Sequence, residues 1–201
     1  HRYPPETEAL QWPGLRALIA ELAPAYELVY LCMGPADGRR DAALRERLRV
    51  EELPFGVDQS SGRDKWFKTL RWYGSLGRLL ARIRELRPAA ILCKEALPGI
   101  PARVAALGFP TFVASGDWWW SILLGQTRWG RRFADWMETR AIRSWNRPNV
   151  RIVACTRTLG RMLVARGAAP ERVVVINEPQ NRSAFGPLDA AATRRELGLD
   201  A

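Results

Sequence analysis

Histidine is nearly absent from this sequence, and cysteine and long apolar runs are scarce. His1 is the single histidine among 201 residues, so the chain cannot assemble a Ser-His-Asp, Cys-His or histidine-metal site from its own residues. Cys32, Cys93 and Cys155 are far apart and lie in or beside apolar segments. This spacing predicts buried thiols in a reducing compartment and neither disulfides nor a metal site.

Membrane-spanning and secretory signals are also missing. No run approaches the roughly 18 apolar residues of a transmembrane helix. The opening, HRYPPETEAL, lacks the apolar core of a signal peptide. We therefore expect a cytoplasmic protein.

Positive charge is in excess. The chain has 31 Lys and Arg against 21 Asp and Glu, for a formal net charge of +10, and all but three of the basic residues are arginine. This excess favours an anionic partner, which leaves nucleic acid, a phosphate-bearing ligand and an anionic membrane surface open. With 47% hydrophobic residues, a chain of this length is long enough to fold around a sizeable core.

Short apolar runs alternate with amphipathic stretches, which predicts an α/β fold with a parallel sheet flanked by helices. The predicted helices are 15–23, 65–86, 100–107, a segment ending near Trp145, and 158–167; the predicted strands are 26–33, 89–96, 110–115, 151–156 and 171–177. The strands are apolar throughout, as strands covered on both faces are. Residues 34–64 are predicted to form a polar loop.

No apolar strand precedes the first predicted helix, because the chain opens on HRYPPE. A doubly wound domain normally begins with its central strand. We therefore expect that a first strand is missing upstream and that the sheet has a gap at its centre.

Several segments, in the right order, resemble the N-terminal domain of family-4 glycosyltransferases of the GT-B fold. They are the PPE loop near the start, the segment LRPAAILCKEALPGIPARVAALGFPTFVASGD, and the closing passage IVACTRTLGRMLVARGAAPERVVVINEPQNRSAFGPLDAAATRRELGL. The sequence departs from the family where Gly116 replaces a common histidine and where Asn177-Glu178-Pro179 replaces Pro-Asn-Gly.

The resemblance implies a Rossmann-like acceptor-side domain over residues 1–180, the N-terminal half of a GT-B fold. Residues 181–201 would then be the interdomain linker and the start of a donor-binding domain that the chain does not contain. The complete enzyme would transfer a sugar from a nucleotide-sugar donor to an acceptor hydroxyl with retention of configuration. It would need no cofactor or metal, and the 201-residue chain alone would be inactive.

Candidate site residues follow from the rule that ligands bind at the carboxyl ends of parallel strands. Asp117 is the candidate catalytic carboxylate, with a helix N-cap as the alternative role. Thr156 is a candidate substrate contact, again with an N-cap as the alternative. The remaining candidate substrate-binding residues are Glu6, Thr7, Lys94, Glu95, Trp118 and Glu178.

Trp118 opens a run of three tryptophans, and consecutive helical positions point about 100° apart, so the three cannot all face one core. At least one indole should face a cleft, solvent or a lipid interface, and indoles stack on sugar rings. The helix 65–86 carries a basic stripe that is either a solvated face or a surface for anionic membrane. That candidate membrane surface consists of Lys65, Trp66, Lys68, Arg71, Arg78 and Arg82.

Two functional classes therefore stay open. The first is the acceptor-binding half of a glycosyltransferase, with a nucleotide sugar and an acceptor as partners and with peripheral attachment to the inner face of the membrane as an option. The second is a non-catalytic basic α/β module that binds anionic membrane or nucleic acid. No specific nucleic-acid partner is expected, because the tryptophans do not interleave with arginines on a strand face.

Overall fold

The computed structural model describes residues 14–32, 42–53, 65–94, 99–115 and 127–176, without the side chains of residues 65–73. Helices and strands alternate through this part of the chain. In chain order the elements are α1 (Gly14–Leu22), β1 (Val29–Cys32), α2 (Ala42–Arg45), β2 (Arg49–Glu52), α3 (Lys65–Leu86), β3 (Ile91–Lys94), α4 (Ile100–Ala105), β4 (Thr111–Ser115), α5 (Arg128–Ser144), β5 (Val150–Ala154), α6 (Arg157–Ala165) and β6 (Val173–Val175).

Every strand pair in the described residues is parallel, which confirms the predicted α/β class with helices flanking parallel strands. The strands form two sheets, one of order β1-β2 and one of order β3-β4-β5-β6. In the larger sheet, Ile91 lies opposite Thr111, and Thr111 lies opposite Val150. The prediction of a missing first strand stays a prediction.

The polar loop predicted over residues 34–64 is wrong in part, because it contains α2 and β2. Strand β2 has the sequence RVEE, which has no apolar run for a sequence pattern to detect. Its backbone pairs with β1 in register from Val29–Arg49 to Cys32–Glu52. Ion pairs hold its side chains, with Arg49 bonded to Glu27 at 2.6 Å.

One face of the larger sheet is buried beneath α5 and α6. The side chains of Val113, Val150 and Ile152 are fully buried there, in a cluster that also contains Ile142 of α5 and Leu163 of α6. Alternate residues of β4 and β5 are buried, as the two-residue period of a strand requires.

The opposite face is partly exposed, and the described part of the chain does not show the predicted cover on both faces of this sheet. Leu92 and Phe112 lie side by side in the register and are 36% and 41% exposed. Val174 of β6 is 39% exposed. Apolar strand residues therefore indicated a sheet here, although the described residues do not cover its second face.

Helix α3 packs against strands of both sheets. Leu31 of β1 and Ile91 of β3 contact one cluster that includes Leu76 and Ile83 of this helix. Helix α3 therefore supplies apolar contacts that link the two sheets.

The end of α6 has the glycine that the sequence predicts. Gly167 has φ 101°, a left-handed conformation that residues with a Cβ adopt at a cost. Its N–H donates to the Val164 carbonyl at 2.9 Å, and the Ala168 N–H donates to the Leu163 carbonyl at 3.0 Å. The strand predicted over residues 171–177 is shorter than expected, because Pro170–Arg172 forms a 3-10 turn ahead of β6.

Candidate active site

The carboxyl ends of β3, β4 and β5 meet at one edge of the larger sheet. The register sets Lys94 opposite Ala114 and Ser115 opposite Ala154. In open parallel sheets this is the edge at which ligands bind, because the loops that follow the strands converge there. The edge therefore defines the candidate active site of the chain.

Lys94 and Ser115 end two neighbouring strands at this edge. Lys94 is partly buried, and Ser115 is only 4% exposed. Burial raises the pKa of the preceding Cys93 thiol to about 11, so this thiol is protonated near neutral pH. Since the thiolate is the nucleophilic form, Cys93 is a packing residue and Lys94 is the polar group that β3 brings to the edge.

Thr156 follows β5 at the same edge and is the N-cap of α6. Its hydroxyl oxygen accepts a hydrogen bond from the Leu159 N–H at 3.0 Å, which satisfies one of the free donors at the helix start. The residue is exposed. Its role as a cap is clear from this bond, whereas a contact with substrate stays a prediction.

Most of the predicted site residues lie outside the described residues: Glu6, Thr7, Glu95, Asp117, Trp118 and Glu178. Two of them follow strands of the site directly in the sequence. Glu95 comes next after the last residue of β3, and Asp117 comes two residues after the last residue of β4. The roles of these residues stay predictions.

The predicted membrane surface on α3 is described only in its second half. Lys65, Trp66, Lys68 and Arg71 belong to the helix, but their side chains are outside the described residues. Arg78 is exposed. Arg82 does not fit the predicted membrane surface, because its guanidinium is bonded within the protein. It makes two hydrogen bonds to the Glu51 carboxylate, at 2.6 and 2.8 Å, and one to Glu85 at 2.7 Å.

A second surface, on α5, was not identified by the sequence analysis. Trp129, Phe133 and Trp136 are 80%, 49% and 56% exposed. The spacing of four and three residues between these aromatic side chains was a signal that could have located the surface, because it places them on one side of a helix.

The described residues contain no helix that is long and apolar enough to cross a membrane. They also contain no group of three or more histidine, cysteine or acidic side chains arranged to hold a metal ion.

A set of parallel strands flanked by helices, with a candidate binding edge at the strands' carboxyl ends, defines a Rossmann-like domain. Residues 11–178 match the family model described as a glycosyl transferase 4-like domain. Because this match spans most of the sequence, the chain belongs to that family of glycosyltransferases, which confirms the resemblance. A search by sequence finds no curated protein that matches the chain.

Proposed function

We propose that this chain is the acceptor-binding half of a retaining glycosyltransferase. The enzyme transfers a sugar from a nucleotide-sugar donor to a hydroxyl group of an acceptor. The observation that carries the proposal is the family match over residues 11–178. The edge formed by β3, β4 and β5 supports it, because that edge offers a place for an acceptor beside polar side chains.

The acceptor hydroxyl lies at this edge and is oriented by Asp117, which follows β4 in the sequence. Its carboxylate accepts the hydrogen bond of the reacting hydroxyl. In the transfer, the bond between the anomeric carbon and the donor phosphate breaks, and a bond from the acceptor oxygen to that carbon forms. The nucleoside diphosphate leaves, and the acceptor proton passes to the Asp117 carboxylate, which acts as the general base.

Lys94 and Glu95 select the acceptor. Lys94 is the last residue of β3 and stands beside β4 in the register, so its ammonium group can pair with a charged acceptor. Glu95 accepts hydrogen bonds from acceptor hydroxyls. Thr156 caps α6 through its oxygen and has its hydroxyl hydrogen left to donate to the substrate.

In this proposal the donor is bound by a second domain of the complete enzyme. That second domain supplies the groups that hold the donor pyrophosphate. Both parts of the proposal can be tested by incubating the complete gene product and the 201-residue chain separately with a panel of nucleotide sugars. Nucleoside diphosphate release and the anomeric configuration of the product are the measurements.

We expect release by the complete gene product, no release by the 201-residue chain, and a product whose anomeric configuration matches that of the donor. Release by the 201-residue chain alone would contradict the division of labour between two domains. Inversion would contradict the retaining mechanism. Absence of release with every donor would favour the non-catalytic basic module, for which the aromatic and basic surface of α5 is the supporting observation.

A further inference from the structure

Helix α5 exposes large aromatic side chains at the pole opposite its buried side. Ala134 is fully buried, and Glu138 and Ala141 are 5% and 6% exposed. At about 100° per residue, Trp129 and Trp136 point in nearly the same direction and away from those three residues. A helix on a protein surface usually presents charged and polar residues at this outer pole, so two exposed tryptophans there require an explanation.

Arginines flank both indoles on the same helix. The Arg132 guanidinium carbon lies 5.7 Å from the ring centre of Trp129, and that of Arg140 lies 5.9 Å from the ring centre of Trp136. The rings of Phe133 and Trp136 are 5.8 Å apart. These five side chains form one continuous surface, the arginine–tryptophan face of α5: Trp129, Arg132, Phe133, Trp136 and Arg140.

The arginine–tryptophan face of α5 carries positive charge. Both acidic residues of α5 are paired with Arg166, which follows α6. Arg166 bonds to the exposed Asp135 at 2.8 Å and to the buried Glu138 at 2.6 Å. Five arginines of the helix are exposed, and no described acidic side chain forms an ion pair with them: Arg128, Arg131, Arg132, Arg140 and Arg143. An anionic partner therefore complements this face.

We infer that the arginine–tryptophan face of α5 docks the protein on the surface of an anionic lipid bilayer. Indoles are favoured at the depth of the lipid headgroups, where one part of the ring is in an apolar environment and its N–H is wet. Guanidinium groups beside them pair with lipid phosphates. Trp129 and Trp136 are two turns apart, about 10 Å along the axis, so a helix lying flat in the interface would insert both.

A bilayer fits this face better than a second copy of the chain. A twofold contact through the face would bring one set of arginines against an identical set, which like-charge repulsion opposes. The inference does not depend on glycosyl transfer. It also differs from the surface predicted on α3, where the described Arg82 is already bonded to Glu51 and Glu85.

Vesicle flotation of the 201-residue chain tests the inference. One set of vesicles contains phosphatidylcholine alone, and the other is an equimolar mixture of phosphatidylcholine and phosphatidylglycerol. We expect binding to the mixed vesicles that weakens as salt is raised, because salt screens the attraction between arginines and lipid. The test variants are Trp129→Ser with Trp136→Ser, and Arg132→Gln with Arg140→Gln.

The double arginine variant should partition into the mixed vesicles about 25-fold more weakly, since each basic residue near an anionic surface contributes about fivefold. The double tryptophan variant should lose at least about tenfold. The matched control is Arg47→Gln with Arg157→Gln, which removes the same charge from two exposed sites outside α5 and should change partitioning by less than about threefold. All substituted residues are exposed, and circular dichroism checks that the variants fold.

Three results would overturn the inference. The first is vesicle binding that the tryptophan variant leaves unchanged. The second is a dimer, seen by light scattering, that this variant converts to a monomer while vesicle binding is unaffected. The third is binding of a single-stranded oligonucleotide that the variants abolish while vesicle binding persists, since stacked indoles and arginines can also hold nucleic acid.

Discussion

Arg82 shows how one residue acquires a role that its sequence position does not reveal. In the sequence it belongs to the basic stripe of the helix 65–86. In the structure its guanidinium makes a two-pronged contact with Glu51 of β2, and such paired geometry is stronger than a single ion contact. Arg82 therefore ties α3 to the β1-β2 sheet, and its charge is satisfied within the protein.

This contact predicts a pH dependence of stability. The hydrogen bonds from Arg82, together with the Coulomb attraction of Arg82 and Arg49, outweigh the opposing effect of burial and lower the pKa of Glu51 below its ordinary value. A carboxyl group whose folded-state pKa is lowered stabilises the fold above the unfolded-state pKa of about 4.3. This stabilisation is lost as the pH falls through the folded-state value.

The Glu51→Gln variant should accordingly melt a few degrees below the unmodified protein at neutral pH, and the difference should shrink as the pH falls below about 4. Thermal melts followed by circular dichroism between neutral and acidic pH provide the measurement. Glu85→Gln is the control, because Glu85 is 63% exposed and solvent screens its pair with Arg82. A melting-temperature difference for Glu51→Gln that is the same at every pH would contradict the assignment.

At the scale of the helices, two glycines are expected to respond in opposite ways to substitution by alanine. Gly167 ends α6 at φ 101°, and a Cβ there would lie 2.9 Å from side-chain atoms of Arg143. Gly77 lies inside α3 and is exposed, and a Cβ there would have no atom within 4 Å. The first position needs glycine for its backbone and for space, whereas the second needs it for neither.

We expect Gly167→Ala to lower the free energy of unfolding by about 1–2 kcal/mol, which is the cost of a left-handed conformation for a residue with a Cβ. Gly77→Ala should raise it by up to about 1 kcal/mol, because alanine favours the helix. Urea denaturation measures both. If the Gly167→Ala variant proved as stable as the unmodified protein, the left-handed conformation assigned to Gly167 would be wrong.

Most helices and strands that contain a run of apolar residues could be predicted from local sequence patterns, whereas β2 could not. Val150–Ala154 is a short buried run between turn residues, and such runs predict buried strands. Strand β2 instead owes its place to partners far away in the sequence. Its backbone pairs with β1, and Glu51 bonds to Arg82, 31 residues away. No window of sequence contains those contacts.

The same distinction applies to α5. Its helical pattern and its arginines were visible in the sequence, but the direction of the tryptophans depends on which side packs against the sheet. That side contains Ala141 and Ile142, which belong to the same buried cluster as Val113 and Val150 of the sheet. The exposed position of Trp136 follows from that packing and could not be deduced from composition.

At the scale of the whole molecule, the parallel order of the strands determines where a ligand can bind. Because β3, β4 and β5 run the same way and in register, their following loops are delivered to a single edge. The sequence could predict this edge, since it needs only the strand positions and the parallel order. It could not predict which side chains of the loops converge, because that depends on loop conformation.

In the proposed mechanism, this edge binds the acceptor, and Asp117, two residues beyond β4, orients the reacting hydroxyl. The most direct measurement is nucleoside diphosphate release by the complete gene product carrying Asp117→Asn, compared with Asp135→Asn as the matched change on α5. We predict that Asp117→Asn lowers kcat at least about 100-fold, which is the contribution of a positioned acid–base group. Donor binding should be retained in this variant. Asp135→Asn should have a kcat within about twofold of the unmodified enzyme. Equal turnover by the two variants would contradict this role of Asp117.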